Sequence, residues 1–243
     1  MKHKKAMLAA LVTFFLGVTG YAEAQQNTLL PVSVQSVKTW LDSSSELPVT
    51  LIDQRSLLEC RDAKIAQAVC HSCDTHPDDL FVSVPKENKI VFYAGNRPVD
   101  PECIAVKQAL AAGYKNVYRL EGGFAAWRKE KYPVVSEKRT PRVLAHAVNP
   151  RKLSRWQKQV QNPLVIDIRQ ADDFAPGHLE GAMNIPLSRL HLDYARIPLD
   201  ATLLVADEDG TQSFLAASYL SRKGFYNVQR LKGGMMEYRR RTP

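Results

Sequence analysis

An internal repeat constrains the fold of this 243-residue chain more than any other feature. Residues 113–123 recur as residues 224–234, with seven of the eleven positions identical at an offset of 111. Upstream, residues 51–55 recur as residues 165–169 at an offset of 114. Solenoid arrays repeat every roughly 20–45 residues, so this longer repeat indicates two copies of one whole domain. The polar, basic segment 136–141 ends in proline and is typical of a linker between them.

The amino terminus has the pattern of a secretory signal. Basic residues within 2–5 precede the longest apolar stretch, residues 6–18, and Ala22-Glu23-Ala24 supplies a small-x-small cleavage pattern. A membrane anchor is the alternative, but a membrane-spanning helix needs roughly 18 apolar residues or more. No cysteine suited to lipidation follows the stretch. We therefore predict cleavage after Ala24, export to a bacterial periplasm, and no membrane span in the mature chain.

The net charge of +8, from 33 Lys+Arg against 25 Asp+Glu, is concentrated in the second copy. A nucleic-acid interface would interleave basic and aromatic residues on one element. Here the basic residues fall on amphipathic helices and at the carboxyl terminus, which predicts a solvated face. Export also disfavours nucleic acid as a partner.

Each copy alternates apolar, β-branched runs with helical patterns, which predicts an α/β fold with a parallel sheet and helices on both faces. Strands are predicted over residues 49–53, 90–93 and 117–120, and again over 164–168, 202–206 and 228–231. Helices are predicted over residues 101–112 and 124–131, between residues 210 and 223, and over residues 235–240. The predicted division of the chain is a signal peptide at 1–24 and domains at 25–138 and 139–243. In such sheets ligands bind at the carboxyl ends of strands, so the loops after Tyr93 and Ala206 are the candidate sites.

Several motifs resemble those of the rhodanese (sulfurtransferase) family. They are Asp167-Ile168-Arg169 and segments 177–186 and 227–234 in the second copy, with Asp53-Gln54-Arg55 and segment 113–127 in the first. The resemblance implies two tandem rhodanese-like domains. It also implies a persulfide carried on a cysteine after the central strand, in a loop whose backbone N–H groups surround the sulfur at a helix N-terminus. A thiolate is the group that attacks sulfane sulfur, and such N–H groups stabilise it.

The second copy has no cysteine at the position that the resemblance implies. The family's Cys-x-x-Gly-x-Arg-Ser loop aligns with residues 207–213, where Asp207 replaces the cysteine and Gln212 replaces the arginine. Gly210 and Ser213 are retained. A carboxylate cannot form a persulfide, and the run of Asp207, Glu208 and Asp209 would repel an anionic sulfur donor.

The aligned position in the first copy is Ala94, followed by Gly95, Asn96 and Arg97. Alanine has no side chain that could carry sulfur. Arg97 and the loop N–H groups suit the binding of an anion without bond formation. The alternative is that Arg97 is a solvated loop residue.

All four cysteines, Cys60, Cys70, Cys73 and Cys103, lie in the first copy, and three interpretations of them stay open. An even number in an exported chain favours structural or redox-labile disulfides. The spacing Cys-x-x-Cys-x-x-His, which ends at His76, also suits a zinc or copper site. A displaced nucleophile is the third interpretation, with Cys103 as the candidate. We expect the four cysteines to cluster near the first-domain pocket and to form at least one disulfide.

The nucleophile hypothesis depends on where the helix after the first loop begins. Asp100 is a favoured N-cap residue and Pro101 a favoured first helical residue, which would place Cys103 in the first turn. Its sulfur would then lie near the positive end of the helix dipole.

Two functions follow from the sequence, together with a third that rests on the metal pattern. The favoured one is an exported tandem rhodanese-like protein without persulfide chemistry, whose partner is a protein or a small sulfur-containing anion. The alternatives are a sulfurtransferase or thiol-redox protein that uses Cys103 or the Cys70/Cys73 pair, and a Cys/His metal-binding module. No cofactor is indicated by any motif.

Overall fold

The structure is a computed structural model that describes residues 28–43, 47–73, 75, 79–140 and 143–241. The predicted signal peptide at residues 1–24 lies outside this part of the chain. Among the described helices, none combines the length and apolar character needed to cross a bilayer.

The first copy folds around a five-stranded parallel sheet in the order β1-β6-β5-β2-β4. Its strands are β1 (Leu30–Val32), β2 (Val49–Asp53), β3 (Lys64–Ile65), β4 (Val69–Cys70), β5 (Lys89–Tyr93), β6 (Val117–Leu120) and β7 (Val134–Val135). Its helices are α1 (Val34–Asp42), α2 (Leu57–Asp62), α3 (Ile104–Ala111) and α4 (Gly123–Lys129). The remaining strands, β3 and β7, pair antiparallel outside the main sheet.

The second copy repeats the strand order as β8-β12-β11-β9-β10, again with parallel pairing throughout. Its strands are β8 (Ala147–Val148), β9 (Pro163–Asp167), β10 (Met183–Asn184), β11 (Thr202–Ala206) and β12 (Val228–Leu231). Its helices are α5 (Leu153–Gln159), α6 (Ala171–Phe174), α7 (Leu190–Asp193), α8 (Ser213–Arg222) and α9 (Gly234–Arg241), with 3-10 turns at Pro150–Lys152 and Tyr194–Arg196. The predicted α/β fold with two equivalent domains is confirmed.

The central strands are buried on both faces because helices cover each side of the sheet. Every residue of β11 is buried, and alternate side chains enter different cores. Leu203 and Val205 pack in one hydrophobic cluster, whereas Leu204 and Ala206 pack in another on the opposite face. This two-sided burial explains why the strand is a continuous apolar run rather than an alternating one.

The predicted long strands lie within a residue of their observed positions, but the start of α3 was predicted incorrectly. The helix begins at Ile104, with Cys103 as its N-cap, rather than at Pro101 after an Asp100 cap. Asp100 instead closes a turn, in which its Oδ1 accepts from Glu102 N at 2.8 Å and its carbonyl accepts from Cys103 N at 3.2 Å. Cys103 has a non-helical backbone conformation and is bonded to Cys73. The helix therefore does not extend to the residues before Cys103.

Two disulfides brace the first domain, and each of the four cysteines belongs to one of them. Cys60 of α2 is joined to Cys70 of β4, with their Cα atoms 5.7 Å apart. Cys73 is joined to Cys103 at the start of α3, with Cα atoms 5.1 Å apart. The prediction of at least one disulfide in this domain is therefore confirmed.

Reduction should destabilise the first domain and leave the second, which has no cysteine, largely unchanged. Closing a loop restricts the unfolded chain, and each bond should contribute about 3 kcal/mol, with the longer Cys73–Cys103 loop contributing more. We expect Cys73→Ser/Cys103→Ser to lower stability more than Cys60→Ser/Cys70→Ser. Hydrogen exchange resolved by peptide would measure the two domains separately. Equal loss of protection in both domains would contradict this assignment.

Candidate functional site

Asp207 occupies the loop at the carboxyl end of β11, where the residue is only 1% exposed. Its Oδ1 accepts from Gly210 N at 3.1 Å, and its Oδ2 accepts from Gln212 N at 2.7 Å and Ser213 N at 2.9 Å. Gln212 N and Ser213 N lie at the start of α8, where a helix leaves backbone N–H groups without intrahelical partners, and Gly210 N belongs to the turn before it. The carboxylate of Asp207 therefore fills the backbone cradle of its own loop.

Burial raises the pKa of the Asp207 carboxyl above its ordinary value, because the charged form loses its hydration. The hydrogen bonds from the Ser213 and Gln212 N–H groups act in the opposite direction. The negative charge of Asp209 raises the pKa further. The cradle thus supplies partners for the carboxylate without fully offsetting its removal from water.

The other two acids of this loop also have partners. Glu208 pairs with Arg239 of α9, and its Oε2 lies 3.5 Å from Nη1 of Arg169. Asp209 closes a local turn by accepting from Thr211 N at 3.0 Å. The loop is held by its own hydrogen bonds and by two arginines from neighbouring elements.

Ala94 holds the place in the first domain that Asp207 holds in the second. Phe124 N donates to the Ala94 carbonyl at 2.8 Å, as Met235 N donates to the Asp207 carbonyl at 2.8 Å. The methyl side chain of Ala94 offers no hydrogen-bond acceptor or nucleophile. Of the residues that follow it, Gly95 is half-buried and Asn96 is exposed.

The repeated Gly-Gly sequence exists because a helix approaches each loop closely. A Cβ atom added at Gly123 would lie 2.5 Å from the carbonyl oxygens of Ala94 and Gly95. One added at Gly234 would lie 2.6 Å from the Asp207 carbonyl oxygen. Both glycines also have positive φ angles, 54° and 61°, which favour glycine.

Each loop contacts the other domain. Arg97 of the first loop forms an ion pair with Asp173 at 2.6 Å, although its side chain remains 57% exposed. Gln212 of the second loop donates from Nε2 to Glu59 Oε1 at 2.9 Å. Glu59 and Asp173 are 114 residues apart, the same offset as between β2 and β9. The two candidate loops therefore face equivalent helices across the domain interface.

The sequence profile of the rhodanese-like domain matches this chain twice, over residues 33–130 and 149–241. The chain belongs to the rhodanese-like domain family.

Among its relatives, the thiosulfate sulfurtransferase GlpE of Ectopseudomonas mendocina is 38% identical over 80 residues, which cover 33% of this chain and 73% of that protein. A sulfurtransferase of Allochromatium vinosum is 25% identical over 97 residues, covering 40% of this chain and 91% of that protein. A rhodanese-related protein from Thermoplasma volcanium is 24% identical with a TM-score of 0.37, covering 40% of this chain and 93% of that structure. The structure of a thiosulfate sulfurtransferase from Pseudomonas aeruginosa is 18% identical with a TM-score of 0.38. The match covers 84% of this chain and 43% of that structure.

One of the two disulfides of this rhodanese-like chain, Cys73–Cys103, lies beside the first loop, where both cysteines and Ala94 belong to one hydrophobic cluster. Cys103 follows the loop at the start of α3, is 3% exposed, and is bonded to Cys73. Cys70 and Cys73, the ends of the Cys-x-x-Cys motif, belong to different disulfides. A free Cys103 thiolate would require reduction, so the nucleophile hypothesis stays a prediction about the reduced protein.

Of the predicted metal ligands, the structure describes the cysteines but not the histidine. His76 lies outside the described residues. Cys73, Cys103 and Asp100 bring their potential ligand atoms within 4.8 Å of one another. Metal binding by cysteine requires thiolates, and these two sulfur atoms are bonded to each other. The metal hypothesis, like the nucleophile hypothesis, therefore concerns the reduced protein.

Glu59 and Asp173 were not identified from the sequence as residues that contact the loops. Ser56 and Glu59 do form a capping box at the start of α2, a pattern that the Ser-x-x-Glu spacing indicates. That pattern explains only why Glu59 lies in the first turn of the helix. The second interaction of Glu59, with Gln212, depends on how the two domains pack.

We expect Asp207→Ala to destabilise the second domain by about 2 kcal/mol, since it leaves the buried Ser213 N–H and the half-buried N–H groups of Gly210 and Gln212 without their acceptor. Asp209→Ala is the matched control, because Asp209 bonds only within an exposed turn of the same loop. Its expected cost is below about 1 kcal/mol. Urea unfolding of both variants would measure the difference. Equal stability of the two variants would show that the cradle does not depend on the carboxylate.

Proposed function

We propose that this protein is an exported tandem rhodanese-like protein that lacks persulfide transfer and acts as a binding or scaffolding module. The observation that carries the proposal is the Asp207 carboxylate, which accepts three backbone N–H groups of its loop. These are the donors that the family resemblance assigns to a persulfide.

Neither candidate loop offers the chemistry that sulfur transfer requires. A thiolate attacks the outer sulfur of thiosulfate, the S–S bond breaks, and sulfite leaves with the bonding electrons. Asp207 has a carboxylate, which does not form a stable bond to sulfane sulfur, and Ala94 has no reactive atom. The relatives named as sulfurtransferases therefore suggest the ancestry of the fold rather than the present activity of these loops.

The binding role is supported by the way in which the two domains share their interface. Arg97 and Gln212, one from each loop, form polar contacts with the opposite domain. These contacts connect each loop to the opposite domain. The proposed partner is a protein or a small sulfur-containing anion.

We also propose that residues 1–24 are removed and that the mature protein is periplasmic. Two disulfides support this location, because such bonds persist in oxidising compartments. The proposed domains are 25–138 and 139–243. Hydrogen bonds support a boundary close to this one, since Lys138 N and Thr140 N donate to Arg61 and Asp62 of the first domain, whereas Val143 N donates to Ser218 of the second.

The mature protein should show no turnover of thiosulfate and cyanide above a heat-treated control. The reduced protein tests the alternative that Cys103 or the Cys70/Cys73 pair carries sulfur. Intact mass after exposure to thiosulfate should show no added sulfur on any of these cysteines. Turnover, or an adduct lost in Cys103→Ser but kept in Cys73→Ser, would favour the displaced nucleophile.

Asp207→Cys should place a thiol among the three N–H groups and gain one sulfur atom on exposure to thiosulfate. The physical reason is that these donors and the start of α8 stabilise an anionic sulfur. Asp209→Cys, in the exposed turn, is the matched control and should gain none. A wild-type protein that matches the Asp207→Cys variant in sulfur uptake would refute the proposal.

A further inference from the structure

A cavity of about 370 Å³ lies between the two domains, outside the cradle. Its walls come from α2, the segment after β7, α7 and the end of α8. The lining residues are Leu57, Leu58, Arg61, Lys138, Thr140, His191, Tyr219, Arg222 and Lys223. The size is at the lower end of the roughly 300–1,000 Å³ typical of small-molecule sites.

The lining is strongly cationic. Arg61 and Lys138 belong to the first domain, Arg222 and Lys223 belong to the second, and no carboxylate is among the lining residues. In the part of the chain that the structure describes, the side chains of Arg61, Lys138 and Arg222 have no Asp or Glu oxygen within 4.0 Å. Four positive side chains from the two domains therefore line the cavity, and Arg61 also interacts electrostatically with Glu137, whose carboxylate pairs with Lys64.

Acidic residues on the same elements are already engaged elsewhere. Asp62 of α2 accepts from Thr140 N at 2.8 Å. Asp193 of α7 accepts from Arg189 Nε at 2.9 Å. Burial lowers the pKa of His191, and the positive charges of Arg61 and Arg189 lower it further. His191 thus adds a neutral ring to the wall at neutral pH.

One side of the cavity is apolar and held in place by packing. Leu58 packs against the hydrophobic core of the second domain. Lys223 Nζ lies 4.4 Å from the ring centre of Tyr194 and 5.5 Å from that of Tyr219, so cation–π contacts position its charge. The cavity therefore combines four positive side chains, of which Lys223 is held by aromatic rings, with an apolar and aromatic wall.

This cavity is separate from the cradle around Asp207. Gln212 and Ser213 mark the start of α8, whereas Arg222 and Lys223 lie at its end. A ten-residue helix is about 15 Å long, so the two sites lie at opposite ends of one element. The N–H groups at the start are occupied by Asp207, whereas Arg222 and Lys223 at the end line the cavity.

We propose that this interdomain cavity binds a small organic dianion, with its two charges against the cations and its carbon skeleton against Leu58 and Tyr219. The inference goes beyond the function proposed above, because this cavity is a second site, separate from the two loops. A bound dianion would relieve the repulsion between cations of the two domains. It would therefore stabilise their arrangement as well as fill the site.

Isothermal titration of the mature chain with phthalate at low ionic strength tests the proposal. Phthalate carries two carboxylates on a ring, benzoate carries one, and thiosulfate carries two charges without a carbon skeleton. We expect phthalate to bind at least about tenfold more tightly than either comparator. Its affinity should fall as salt is added, because salt screens the charges. Phthalate should also raise the unfolding temperature.

Arg61→Ala/Arg222→Ala should weaken phthalate binding by at least about tenfold. Arg128→Ala, which removes an exposed arginine of α4 that is not among the lining residues, is the control and should bind as the wild type does. Unfolding curves without ligand would establish that all variants are folded. No binding of phthalate, equal binding of benzoate or thiosulfate, or an unaffected double variant would overturn the proposal. The thiosulfate–cyanide assay tests the proposed function separately, so either can fail without the other.

Discussion

A buried carboxylate–guanidinium pair organises the edge of each sheet at which the loops meet. In the second domain, Arg169 Nε lies 3.0 Å from Asp167 Oδ1 and its Nη2 lies 2.6 Å from Oδ2. Nη2 also donates to the Gly177 carbonyl at 2.8 Å. Asp53 and Arg55 repeat the pair in the first domain. Because both charges are withdrawn from water, loss of either partner would leave the other uncompensated. The strand end and the loops around it depend on this one interaction.

The two domains share this framework but differ in the side chains at their loops and in their cysteines. The second domain places a carboxylate among the N–H groups at the start of α8, and the first places a methyl group at the equivalent position. The first domain carries two disulfides, one of them beside its loop, and the second has no cysteine. The backbone geometry is retained in both, since Gly123 and Gly234 permit the same close approach of a helix to a loop. The two domains therefore share one backbone framework and differ in the side chains at their loops.

The domain interface links these differences. Glu59 closes the capping box of α2 and also accepts a hydrogen bond from Gln212 of the second loop. One carboxylate therefore both stabilises a helix and contacts the other domain. Elsewhere on the interface, a cavity lies between the domains, and its lining includes four basic residues and no acidic one. The same packing that covers the loops therefore creates a separate site with a different electrostatic character.

The sequence by itself determined the duplication, the α/β class and the positions of the long strands. Strand β11 coincides with its predicted range because a two-sided apolar run is a local signal. The edge strands β4 and β10 have two residues each, which is too short to show an alternation of apolar and polar residues in the sequence. Only the tertiary structure decided which cysteines pair, since four cysteines allow three connectivities. It also decided that the Asp207 carboxylate turns into its own loop and that Glu59 contacts a residue 153 positions away. Those contacts depend on the packing of whole domains, which no local pattern of residues records.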